Sequence, residues 1–92
     1  MKEYDAYLNE LMTITMEECA EVIQECSKVI RFGADSVHNG KTAIERLEKE
    51  IGDLYCMIDL IHANDLVSFT EVDQYSQEKY EKLRKYSNLI WD

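Results

Sequence analysis

From Leu47 to Ile61 the apolar residues Leu47, Ile51, Leu54, Ile58 and Ile61 fall at alternating steps of four and three. That spacing draws one stripe along an α-helix and predicts a helix packed nearly antiparallel against another; no strand would place these residues on one side. Within the stretch RLEKEIGDLY, residues 46 to 55, the stripe carries a carboxylate: Glu50 lies a turn from Leu47 and Leu54, with Asp53 at the edge near Leu60. A carboxylate withdrawn from water is costly unless it is protonated, paired with a cation or bound to a metal, so Glu50 needs a partner.

The rest of the chain repeats the helical pattern. Proline is absent and there are three glycines in 92 residues, which predicts an all-α fold of three to four helices in a single domain, residues 1–92. The first helix is expected from about Tyr4 to Arg31, with a break near Thr13 to Thr15 where Thr15 and Glu18 fit a capping box. Its apolar stripe reads Met12, Met16, Cys19, Ile23, Cys26 and Ile30. Gly33 is a left-handed terminator, GADSVHNGKT forms the loop, and Thr42 with Glu45 caps a second helix running to about Ala63. Ser68 with Glu71 marks a third, from about Thr70 to Asn88, carrying Val72, Tyr75, Leu83, Tyr86 and Ile90 on one face.

A chain of this size buries about 60 to 65% of its unfolded surface, so its own core is marginal and antiparallel helix pairs are expected to assemble into a homodimeric or homotetrameric bundle. The formal charge of -9 argues against a nucleic-acid polymer or an anionic membrane as partner. Cys19, Cys26 and Cys56 sit among apolar residues of helices and read as reduced thiols packed like small hydrophobes, which points to the cytoplasm. No basic-then-apolar leader is visible, and no apolar run approaches the ~18 residues that span a bilayer.

Glu17, Glu18, Glu21 and Glu25 lie away from the first helix's stripe, and by themselves read as a solvated acidic face. Glu50 changes that reading. Its basic neighbours Arg46 and Lys49 are expected to point toward other sides of the helix, leaving a metal as the better partner. If the first two helices pack antiparallel, Glu18, Glu21, Glu50 and Asp53 converge into an oxygen cage suited to Mg²⁺, with Mn²⁺ as a substitute. Gly52, which costs about 1 kcal/mol relative to alanine in a helix, fits a close approach by another backbone or a ligand.

The series Glu17-Glu18-x-x-Glu21, a 28-residue insert, then Glu50-x-x-Asp53 resembles the motif of the MazG-like, all-α nucleoside triphosphate pyrophosphohydrolases, in particular their short, single-domain, phage-type members. The likeness spans EECAEVIQECSKVIRFG through LEKEIGDLYCMIDLI. It implies hydrolysis of a nucleoside or deoxynucleoside triphosphate to the monophosphate and pyrophosphate with Mg²⁺, in a host cytoplasm if the chain is phage-encoded. It also implies that Glu18, Glu21, Glu50 and Asp53 are metal ligands and that Glu17 orients or deprotonates the attacking water. Members of the family hold phosphate with basic residues on a later helix, which makes Lys79 and Lys82 candidates. Lys28 and Arg31 form a second basic pair, Lys28 sharing a face with Glu21. Phe32, His38, Tyr55 and Trp91 are the aromatic candidates for stacking on a base.

Other motifs are weaker. Gly-Lys-Thr at 40–42 lacks the spacing and the preceding strand of a P-loop. Asp59-x-x-His62 lacks the second Glu-x-x-His of a di-iron bundle, and no cysteine has an electropositive neighbour that would make it a nucleophile. The alternative to an enzyme is an acidic helical adaptor or regulatory module, which accounts for the seams and the charge but leaves Glu50 unexplained.

Overall fold

The computed structural model describes residues 3 to 90, most of them in three helices: α1 (Glu3–Phe32), α2 (Ala43–Ala63) and α3 (Phe69–Tyr86). Two short strands, β1 (Val37–His38) and β2 (Lys41–Thr42), lie in the loop between α1 and α2. The chain divides into two units, residues 1–61 and 62–92. No helix among the described residues is long and apolar enough to cross a membrane.

α1 runs without interruption through the threonines expected to break it. The Thr13 and Thr15 hydroxyls donate to the carbonyls of Asn9 and Leu11, both at 2.7 Å, so they join the helix's own hydrogen bonding instead of capping a new start. Gly33 ends the helix as expected: at φ 94° it takes the left-handed conformation, and its N–H donates to the Val29 carbonyl at 3.0 Å.

The following loop contains a minimal hairpin with Val37 opposite Thr42 and His38 opposite Lys41. Asn39 and Gly40, at φ 53° and 77°, form the two-residue turn that Asn-Gly favours. The Ala43 and Ile44 amides donate to the carbonyls of Ser36 and Ala34, fastening the loop to the start of α2. Thr42 and Glu45 make the expected reciprocal cap: the Thr42 amide donates to Glu45 Oε1 at 2.8 Å, and the Glu45 amide donates to Thr42 Oγ1 at 3.1 Å.

α1 and α2 form an antiparallel pair, with Glu25 meeting Arg46 near the loop and Glu18 meeting Glu50 and Asp53 further along. The seam differs from the expected one. On α1 it is formed by Leu11, Thr15, Glu18, Val22, Glu25 and Val29, all buried or half-buried, while Met16, Ile23 and Ile30 of the oilier stripe are 64%, 68% and 85% exposed. The two rows have the same spacing and differ by one residue, a rotation of about 100°.

On α2, Ala43 and Met57 are buried and Leu47, Glu50, Leu54 and Ile61 are half-buried, whereas Ile51 and Ile58 of the expected series lie exposed at the margin. The rotation also turns Cys19 and Cys26 outward, and Cys56 is exposed on α2, so none of the thiols is packed as a small core hydrophobe within the chain. A Cβ on Gly52 would meet nothing within 4 Å, so no other part of this chain makes the close approach at that glycine.

In the second unit, Ser68 caps α3 by accepting the Glu71 amide at 3.3 Å, and the His62 and Phe69 rings stack with centroids 4.0 Å apart. α3 ends at Tyr86, two residues before the expected boundary, where the Ser87 amide donates to the Leu83 carbonyl. It has no buried residue, and Val72, Tyr75 and Tyr86 of its apolar face are exposed. Trp91 lies outside the described residues.

Candidate metal centre

Glu18 on α1 and Glu50 and Asp53 on α2 each present a carboxylate oxygen such that the three oxygens lie within 4.8 Å of one another. The helix pair brings them together. Glu50 and Asp53, three residues apart, share the side of α2 that meets α1, and the rotation that turns Met16 and Ile23 outward turns Glu18 inward. All three residues are half-buried, and the Glu50 side chain is only 13% exposed.

Glu21 lies outside this trio, on the exposed side of α1, but close enough for its charge to act on Glu18. Glu17 is exposed. Partial loss of water holds the Glu18 carboxyl above its ordinary pKa, and the negative charges of Asp53, Glu50 and Glu21 push it the same way.

Lys49 is the counter-charge. Its ammonium donates to Asp53 Oδ2 at 2.7 Å and to Glu50 Oε1 at 3.3 Å, correcting the expectation that it would project elsewhere. These two hydrogen bonds and the charges behind them raise the lysine's pKa above its ordinary value. The lysine stem is long enough to bend back along α2, so its Cα direction does not decide where its charge lies.

The donor set fits a divalent cation. Three carboxylates are hard oxygen ligands, and with their oxygens within 4.8 Å of one another they could gather on a single ion. Lys49, with its side chain 62% exposed, can swing into solvent to make room.

A second charged cluster lies toward the loop and was not foreseen. Glu25, expected on a solvated face, is buried, accepting from Arg46 Nε at 3.2 Å and Lys28 Nζ at 3.4 Å. Arg46 is thus directed across the seam, and its Nη1 donates to the carbonyls of Lys41 at 2.6 Å and His38 at 3.3 Å. The available signal was arithmetic: Arg46 precedes Glu50 by four residues and Glu25 follows Glu18 by seven, so the antiparallel pair that joins the acids also joins Arg46 to Glu25.

Of the basic candidates, Lys28 is half-buried beside Glu25, and the Arg31 guanidinium lies 4.8 Å from the centre of the Phe32 ring. Lys79 and Lys82 are exposed on α3, in the second unit. No family model matches this chain, and neither the curated proteins nor the solved structures include a match.

Proposed function

We propose that this chain is a MazG-like pyrophosphohydrolase that converts a nucleoside or deoxynucleoside triphosphate to the monophosphate and pyrophosphate with Mg²⁺, Mn²⁺ serving as a substitute. The observation that carries the reading is the approach of Glu18 to Glu50 and Asp53 across two helices, on a seam where carboxylates are costly unless compensated.

When bound, the ion would neutralise triphosphate charge and lower the pKa of water. Glu18, Glu50 and Asp53 would hold it, with Glu21 as a fourth carboxylate beside Glu18. Glu17, the adjacent exposed carboxylate, is the candidate to orient or deprotonate the attacking water. Lys28, Arg31, Lys79 and Lys82 are the candidate cations for the phosphate chain. We also propose a homodimer or homotetramer as the working form; its support is the outward row of Met16, Ile23 and Ile30 on α1, with Ile51, Tyr55 and Ile58 exposed on α2.

The test is a screen of all ribo- and deoxyribonucleoside triphosphates with Mg²⁺, reading out pyrophosphate, beside an Asp53→Asn variant. Release of orthophosphate, or a fully active variant, overturns the assignment. Labelled water identifies the phosphorus attacked.

The exposed apolar rows equally favour a second reading, an acidic helical adaptor. A magnesium titration separates the two: the enzyme reading expects a clear rise in Tm, and the adaptor reading expects none.

A further inference from the structure

No residue of α3 is buried, although the helix carries an apolar row along one side. Val72, Tyr75, Lys79, Leu83 and Tyr86 lie within about 40° of one line on it, at about 100° per residue. Leu83 is half-buried, Val72 is exposed, and Tyr75 and Tyr86 are 65% and 82% exposed. The steps along the row are three, four, four and three, so it is symmetric about Lys79 and reads alike in both directions. A second α3 laid antiparallel on this row sets Val72 against Tyr86 and Tyr75 against Leu83, each contact made twice, with the two Lys79 residues at the two-fold axis.

The charges beside the row agree with that direction. Glu71, Glu78, Lys82 and Lys85 fall on one flank of it, the acids in the first half of the helix and the lysines in the second. In an antiparallel pair centred on Lys79 this flank meets its own copy. Glu71 then stands two residues' rise, about 3 Å along the axis, from Lys85 of the second copy, and Glu78 stands the same distance from its Lys82. A parallel pair would turn the flank toward Ser76, Tyr80 and Ser87, which carry no charge. Among the described residues none of the four charged groups has an ion pair within the chain; the pair α3 does contain, Glu81 with Arg84, is on the far side of the helix.

Lys79 interrupts the row at its centre. Its stem can lie along the apolar surface while its ammonium reaches the Glu78 carboxylates beside the axis. A single charged residue in such a seam fixes register, since a slip of one turn would take the lysine away from its acids and set Glu71 and Lys85 out of step.

We infer that α3 is a self-association surface, packing antiparallel on α3 of a second copy about a two-fold axis at Lys79. The inference rests on α3 alone, not on the acidic trio, and it goes beyond the oligomer proposed above by naming a contact that the outward rows of α1 and α2 do not make. It also takes Lys79 and Lys82 into an interface, leaving Lys28 and Arg31 as the cations for a phosphate chain.

Analytical sedimentation of the whole chain in EDTA tests it without reference to activity. Glu71→Lys and Lys85→Glu should each weaken self-association by about ten-fold, because each turns two attractions into repulsions. Both substitutions also oppose the helix dipole, so the decisive sample is their equimolar mixture. It should regain the parent's mass, since one chain then presents two positive charges to the other's two negative ones, whereas damage to the helix itself would persist. With Cys19, Cys26 and Cys56 replaced by alanine, Lys79→Cys should be joined into dimers by a short bismaleimide, and Gln77→Cys, on the opposite face, should not. A parent that sediments as a monomer throughout, single variants that keep the parent's mass, a mixture that stays dissociated, or cross-linking no greater at residue 79 than at residue 77 would each overturn the inference.

Discussion

Replacing Arg46 by methionine keeps an unbranched stem in the seam and removes a guanidinium that donates to Glu25, His38 and Lys41. The Glu25 side chain is 9% exposed and that of Arg46 17%, so the pair is largely withdrawn from water. Breaking a fully buried pair from one side costs about 3–5 kcal/mol, because the remaining charge is left uncompensated. Lys28 reduces that cost by staying near Glu25 at 3.4 Å, while its own 39% exposure limits how far it can substitute. The His38 and Lys41 carbonyls belong to exposed residues, and water can replace the donor they lose. The expected loss is therefore about 2–4 kcal/mol. For a chain of this length that is a large share of the total stability, and it should lower Tm by on the order of 10–25 °C. Circular-dichroism melts and urea titrations at fixed protein concentration read it directly. Glu25→Leu combined with Arg46→Met should recover most of the loss, since the double variant leaves no buried charge behind. A single variant within about 0.5 kcal/mol of the parent, or a double variant no more stable than the single, would refute the claim that this buried pair stabilises the packing of α1 on α2.

Lys49→Met removes the cation that lies against Glu50 and Asp53, so Mn²⁺ should raise Tm more in the variant than in the parent; an equal rise would mean that lysine and metal do not share the site. Glu18 has its folded pKa raised, so its contribution to stability is present below its ordinary value of 4.5 and is lost as pH rises through the folded value. The metal-free Glu18→Gln variant should accordingly melt above the parent at pH 7, with the gap closing below pH 4.5. Mn²⁺ affinity of the parent, followed by calorimetry, should fall as pH drops through that raised pKa, because the ligand must be ionised. Thr42→Ala removes one side of the cap at the start of α2 and should cost about 1 kcal/mol in urea titrations; the Glu45 pKa should rise in the variant but stay below 4.5, as read by carboxyl NMR, because the backbone amide of residue 42, the larger cause of its lowering, remains.

The Gly33 terminator and the caps at Thr42 and Ser68 were legible in the sequence because each is decided by a few adjacent residues, whereas the three-to-four helix range stayed open until α1 proved continuous through Thr13 and Thr15. The small hairpin was legible too in Asn39-Gly40, but only to a reading that looked for strand pairing inside a loop. The rotation of α1 was not. Two rows with the same four-three spacing lie one residue apart, and the oilier one, Met12 to Ile30, points away from α2. Periodicity measures how apolar residues repeat and is silent on which of two competing rows meets the partner helix. Glu18 could be expected to approach Glu50 and Asp53 because the motif pairs them, whereas the expected direction of Lys49 was wrong because a side chain with four rotatable carbons can bring its charge back across its own helix.

The winning row is a polar one. Among the described residues the buried apolar side chains between α1 and α2 are Leu11, Ala43 and Met57, with Val22, Val29, Leu47 and Leu54 half-buried, and along the same seam lie Glu18, Glu25, Arg46 and Glu50. A seam of this kind contributes little hydrophobic free energy and depends on charges compensating one another, which is why Glu25 takes two cations and why Glu50 and Asp53 share one. It also divides the seam by charge. Toward the loop, Arg46 and Lys28 outnumber Glu25; toward the middle, Glu18, Glu50 and Asp53 outnumber Lys49. One stretch therefore has donors to spare for an anion and the other has acceptors to spare for a cation, and the number of charges on each side of the Arg46–Glu50 helical turn decides which is which. Exchanging that order by substitutions that keep each charge paired across the seam should reverse the sign of the charge left over in the two stretches without separating the helices, since the pairs, the caps and the contacts at Leu11, Ala43 and Met57 all remain.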